Sequence, residues 1–127
     1  MKNTHKKFEA WATPHLAKMS RVLLLDHFHP VSISYDQAAV GKFFLCCDHQ
    51  YPYQTIHLSY GDAALRAFEK KDYATLLNSL THEMVHPLTD ALYSVAFNRF
   101  VTNTQVENER EKLTDHIANI VLKGKLI

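Results

Sequence analysis

His82-Glu83-Met84-Val85-His86 is the stretch on which the reading of this 127-residue chain turns. On an α-helix, residues four apart share a face, so His82 and His86 can aim two imidazoles at one ion while Glu83 stands beside them. That spacing is the one a zinc site with an attached base requires. In a chain with 9 histidines the pattern can arise by chance, so its context has to support it. Tyr73, Leu76, Leu77 and Leu80 lead into it at helical spacing and Met84 and Val85 continue the apolar set, which places it inside a long amphipathic helix. Asp72 is positioned to cap that helix. Pro87 follows the second histidine directly. Proline removes a backbone donor and disfavours helical geometry at the residue before it, so a kink is expected at His86, with the pattern resuming through Leu88, Leu92, Val95 and Phe97 to about Phe100.

Upstream, Phe8 and Trp11 begin the ordered part, and Thr13-Pro14 reads as an N-cap followed by proline at the first helical position. A helix through Leu16, Met19, Val22 and Leu23 is expected to end near Asp26-His27. After Pro30, Val31, Ile33 and Tyr35 alternate with Ser32, Ser34 and Asp36, which describes a half-buried strand. A second strand is expected from Val40 to Cys47. His49 to Tyr53 is a turn region around Pro52, and a third strand follows over Thr55-Ile56-His57-Leu58-Ser59-Tyr60. Gly61-Asp62 opens a short helix from Ala63 to about Lys70.

Downstream, Thr104-Gln105-Val106-Glu107 has the spacing of a capping box at the start of a last helix. That helix carries Leu113, Ile117, Ile120 and Val121 on its expected apolar face and closes on Lys123-Gly124. No internal repeat or linker interrupts the chain. The expected architecture is α+β in one domain over residues 1–127: an N-terminal helix, a three-stranded and mostly antiparallel sheet, the helix with the histidine pair, and a C-terminal helix.

Composition bounds the function. Apolar residues make up 46% and charged residues 21% of the chain, the balance of an ordinary globular domain large enough to hold a core without disulfides or a structural metal. A formal net charge of +1 and the lack of a basic helix interleaved with aromatics give no reason to expect nucleic acid as a partner. No apolar run approaches the roughly 18 residues of a membrane span, and no apolar core follows the basic start, so neither membrane insertion nor export is expected. The cysteines, Cys46 and Cys47, are adjacent and would point to opposite faces of a strand. They read as reduced packing residues, which fits the cytoplasm.

A catalytic zinc needs a third protein ligand and an open position. The last helix offers Glu107, Glu109, Glu111, Asp115 and His116. Glu107 has a role in the capping box and Glu109 lies near the edge of the apolar face. Glu111 lies off that face with Asp115 one turn on, so one carboxylate can take the metal while the other orients a ligating histidine. Glu111 is therefore the expected ligand and Asp115 its support.

The histidine pattern followed by Glu111-Lys112-Leu113-Thr114-Asp115 resembles the zincin metallopeptidases of the gluzincin type, whose third ligand sits in a Glu-x-x-x-Asp pattern on the next helix. Small size, element order and the segment from Glu111 to Ala118 look similar to the minimal, single-domain zincin-like proteins of phages, prophages and bacterial mobile elements. The resemblance implies one Zn2+ per chain held by His82, His86 and Glu111, with Glu83 as general base and Asp115 behind the ligands. It further implies a peptide or protein substrate paired along an edge strand formed by Thr55, Ile56, His57, Leu58 and Ser59. Such helices do not usually carry Pro87. His57, His116 or Tyr60 could supply a donor to a developing oxyanion, and the sequence does not choose among them. The alternative expectation is a zincin-fold module that binds protein without turnover, since a chain this small lacks a second lobe to wall off a cleft.

Overall fold

A computed structural model of the chain describes residues 2–23, 25, 31–37, 44–50, 55–96 and 102–124. The element order is α1 (Lys2–Val22), β1 (Val31–Tyr35), β2 (Leu45–Gln50), β3 (Thr55–Tyr60), α2 (Asp62–Glu69), α3 (Tyr73–Ala96) and α4 (Asn103–Lys123). The fold is α+β, as expected. The proposed helix end at Asp26-His27, the start of the second strand at 40–43, residues 51–54 of the turn around Pro52, and residues 97–100 at the end of the histidine helix lie outside the described residues.

Two expectations about the sheet are corrected. It is mixed rather than mostly antiparallel: the strand order is β1-β3-β2, with β1 parallel and β2 antiparallel to β3. Thr55–Ser59 accordingly lies in the middle of the sheet and not on its edge. Ile56, Leu58 and Tyr60 on one face of β3 have 0% exposure, and the strand with the most buried face takes the position that both neighbours shield. Its backbone groups are paired on both sides, which leaves none to bind an extended peptide. Among the described residues the edges are β1 and β2.

The first helix begins at Lys2, eleven residues before the expected cap at Thr13. Phe8, Ala12, Leu16 and Met19 form a buried stripe that crosses Pro14, so burial outweighs the proline's missing donor. Thr13 is then a helix-interior residue, and its hydroxyl donates to the Glu9 carbonyl at 2.7 Å. Against this helix the Tyr60 hydroxyl donates to Glu9 Oε1 at 3.2 Å and lies 3.1 Å from His5 Nδ1.

On α3, Leu76, Leu80, Met84 and Val85 are fully buried in the core that α3 shares with α1, α2 and β2, each such side chain contributing about 1.5–3 kcal/mol relative to exposure. This buried stripe fixes the roll of α3 and with it the direction of the histidines. Asp72 caps the helix as expected, accepting from the Thr75 N–H at 3.3 Å. The helix runs through Pro87 as far as Ala96.

On α4 the cap and the buried face both differ from expectation. The capping box is Thr102-x-x-Gln105: Thr102 Oγ1 accepts from the Gln105 N–H at 3.2 Å, and Gln105 Oε1 accepts from the Thr102 N–H at 3.1 Å. The helix therefore starts at Asn103, before the expected Thr104, and Glu107 is free of any capping role. Val106, Thr114, Ala118 and Val121 face inward, whereas Leu113 and Ile120 are 37% and 54% exposed. At roughly 100° per residue, Leu113 and Ile120 lie about 160–180° round the helix from Glu111. An α4 that points Glu111 at α3 cannot bury them there. No described helix is long and apolar enough to cross a membrane.

Candidate metal centre

Helical spacing on α3 and the roll of α4 bring three side chains from two elements to one point. His82 Nε2 and His86 Nε2 lie 3.1 Å apart. The Glu111 carboxylate spans them, with Oε2 at 3.2 Å from His82 Nε2 and Oε1 at 3.6 Å from His86 Nε2. Tetrahedral bonds of about 2.0–2.1 Å place neighbouring ligand atoms about 3.3 Å apart. The distances lie near that edge length, although the two imidazoles face different oxygens of the Glu111 carboxylate, and two imidazoles with a carboxylate form a donor set that zinc accepts. His82, His86 and Glu111 can hold a metal ion.

The other nitrogen of each ring faces a carboxylate. His82 Nδ1 is 2.6 Å from Asp115 Oδ1 on α4. His86 Nδ1 is 3.5 Å from Asp90 Oδ1, four residues along the same helix. Asp90 was not among the candidates read from the sequence, although its spacing from His86 repeats that of the histidine pair. Arg110 was missed as well. Its Nε lies 3.0 Å from Asp90 Oδ1 and 3.7 Å from Glu111 Oε1.

Glu83 stands between the histidines and the sheet. Its Oε2 accepts from the Cys47 N–H of β2 at 2.9 Å, and its Oε1 is 4.0 Å from His82 Nε2. Burial raises its pKa above the usual carboxylate value. His86, His82 and the Cys47 N–H oppose that shift without cancelling it, and Glu111 adds to it. Burial works to lower the pKa of His86, but Asp90, Glu83 and Glu111 outweigh it and leave the ring above its usual value.

The Cys47 bond also orients the edge of the sheet. Since the Cys47 N–H points to Glu83 rather than to β3, the alternation of an antiparallel pair turns the backbone groups of Leu45, Cys47 and His49 outward. The edge beside Glu83 is thus β2. Cys46 and Cys47 are both unpaired thiols, and burial pushes the pKa of each up.

The three candidate oxyanion donors separate. The Tyr60 hydroxyl is buried and already donates to Glu9. His57 lies on the sheet face opposite the core, its ring bridging Ser32 Oγ at 2.7 Å and Ser34 Oγ at 2.9 Å. His116 is exposed on α4. None of the three makes a contact with the histidine pair among the described interactions. Glu107 and Glu109 are exposed and do not belong to the cluster. In comparisons with known proteins, the chain matches no family model, no curated protein and no solved structure.

Proposed function

We propose that this chain is a zinc-dependent peptide hydrolase of the zincin type, reduced to one small domain. The observation that carries this reading is the convergence of His82 Nε2, His86 Nε2 and the Glu111 carboxylate at 3.1, 3.2 and 3.6 Å, with a half-buried carboxylate adjoining them. A zinc ion in that position supplies Lewis acidity to a substrate carbonyl and acidifies a water molecule.

The protein groups perform the remaining steps. Glu83, whose burial raises its proton affinity, takes the proton of the attacking water and passes it to the departing amine. Its Oε2 is anchored by the Cys47 N–H, so Oε1 is the oxygen turned toward the histidines and the one that moves the proton. Asp115 holds the His82 ring by Nδ1 and so keeps Nε2 free for the ion. An extended peptide pairs with the outward backbone groups of Leu45 and His49 on β2, in the role that the resemblance implied for Thr55–Ser59.

The test is zinc content and peptide cleavage measured on the parent chain and on Glu83→Gln. About one zinc per chain in both proteins, with cleavage in the parent alone, is the expected result. Equal cleavage by Glu83→Gln would remove Glu83 from the mechanism. Zinc without cleavage of any peptide by the parent would favour the protein-binding module instead.

A further inference from the structure

We infer that Asp90, clamped by Arg110, is the positioning residue for His86, as Asp115 is for His82. The inference rests on the metal-site reading and adds two residues that the Glu-x-x-x-Asp pattern does not contain.

A ligating imidazole works only when its second nitrogen is held, because the ring otherwise turns about its side-chain bonds and its lone pair leaves the ion. Asp115 meets that need for His82 from across the helix pair, at 2.6 Å. It serves that ring alone among the described contacts. His86 Nδ1 is buried and makes no conventional hydrogen bond, and the polar group facing it is Asp90 Oδ1 at 3.5 Å. The same oxygen sits 3.0 Å from Arg110 Nε in an ion pair across the two helices. Asp90 is therefore shared between a ring on its own helix and a guanidinium on the next.

Arg110 does two things in this position. It fixes the Asp90 carboxylate across α3 and α4, which an isolated pair on one helix cannot do. It also lies 3.7 Å from Glu111 Oε1, so one cation touches both the metal-ligating carboxylate and the carboxylate behind His86. The site gathers four carboxylates, Glu83, Asp90, Glu111 and Asp115, around two imidazoles. A permanently charged arginine offsets part of that negative charge in the metal-free state. Among the described contacts Asp90 and Arg110 meet His86 and Glu111, and they act through those two residues.

The experiment measures zinc affinity by competition with a chromophoric chelator, and the visible spectrum after cobalt substitution, on the parent, Asp90→Ala and Asp90→Asn. The thermal midpoint of each metal-free protein reports the fold. Asp90→Ala is expected to weaken zinc binding about 10–100-fold and to alter the cobalt spectrum. Asp90→Asn keeps an oxygen that can accept from His86 and is expected to recover part of the loss. If Asp90→Ala does not fold, the cobalt spectrum and affinity of Asp90→Asn at an unchanged midpoint carry the test. Affinity within about twofold of the parent and an unchanged spectrum in a folded variant would overturn the role of Asp90. A parent that takes up no zinc would overturn the metal-site reading itself, and the positioning role with it.

Discussion

Nδ1 of His82 on α3 lies 2.6 Å from Oδ1 of Asp115 on α4, while Nε2 of the same ring lies 3.2 Å from Glu111 Oε2, one turn earlier on α4. One helix thus holds the first histidine at both ends. Removing the Asp115 carboxylate should therefore weaken metal binding without loosening the fold, since its side chain is 63% exposed. Asp115→Ala is expected to lower zinc affinity about 10–100-fold. The metal-free stability should change by no more than about 0.5 kcal/mol. Chelator competition and thermal unfolding of the stripped protein measure the two effects separately, and an unchanged affinity would show that His82 is oriented without Asp115.

Acid should strip the metal early. Binding requires both rings in their neutral form. Burial opposes protonation of His86, but Asp90, Glu83 and Glu111 raise its pKa above 6.5, so affinity starts to fall at a pH above that of an ordinary imidazole. In the metal-free protein the sign reverses. A folded pKa raised above the unfolded value gives stability that is fully present below 6.5 and is lost as the pH rises through the folded value. Glu83, raised by burial, contributes in the same direction. His15 is lowered by burial and by Lys18, so it titrates below this window. Above pH 6.5 the thermal midpoint should fall with rising pH in the presence of a chelator and rise with saturating zinc. Parallel slopes in the two conditions would contradict the coupling.

The legible parts of the site were the local ones. His82 and His86 need only helical spacing to meet, and Glu111 with Asp115 repeats that spacing on a second helix. Asp90 stands at the same interval from His86 and carried the same signal, but an acidic residue one turn along the same helix is also what a solvated helix face shows. Arg110 gave no signal, because its role depends on the roll of α4 against α3. The position of β3 was equally hidden. Strand order depends on which strand is shielded by two neighbours, and Ile56, Leu58 and Tyr60 alternate in a way that suits an edge strand with one buried face as well as a central one. At Pro14 the local rule gave the wrong helix start, because the stripe from Phe8 to Met19 decided the outcome through tertiary burial.

The cap of α4 can be tested by a pair of substitutions two residues apart. Thr102 closes the capping box with Gln105, whereas Thr104 lies exposed inside the first turn. Thr102→Ala is expected to destabilise the protein by about 1 kcal/mol. Thr104→Ala should stay within about 0.5 kcal/mol of the parent. Urea unfolding of both variants in chelator distinguishes them, and the reverse order would return the cap to Thr104 and Glu107.

The roll of α4 is the feature on which the metal centre depends, and it runs against the apolar pattern of that helix. Leu113 and Ile120 stay exposed while the smaller or more polar Thr114 and Ala118 are buried beside Val106 and Val121, so two of the helix's largest apolar side chains are not on its inward face. Thr114 compensates by pairing its hydroxyl with Thr89 at 3.0 Å and by donating to the Arg110 carbonyl at 2.8 Å, so its own polar group is satisfied on the inward face. The turn that results carries Glu111 to the histidines. Ile120→Gln should then be nearly neutral, within about 0.5 kcal/mol, and should leave zinc affinity unchanged. Ala118→Leu, at a position only 2% exposed, should cost about 1–3 kcal/mol through overpacking. By pushing α4 away from α3 it should also weaken zinc binding, although it is seven residues from Glu111. Thermal unfolding and chelator competition on the two variants read both effects. Strong destabilisation by Ile120→Gln with no effect of Ala118→Leu would mean that α4 buries its more apolar side, and Glu111 would then face away from His82 and His86.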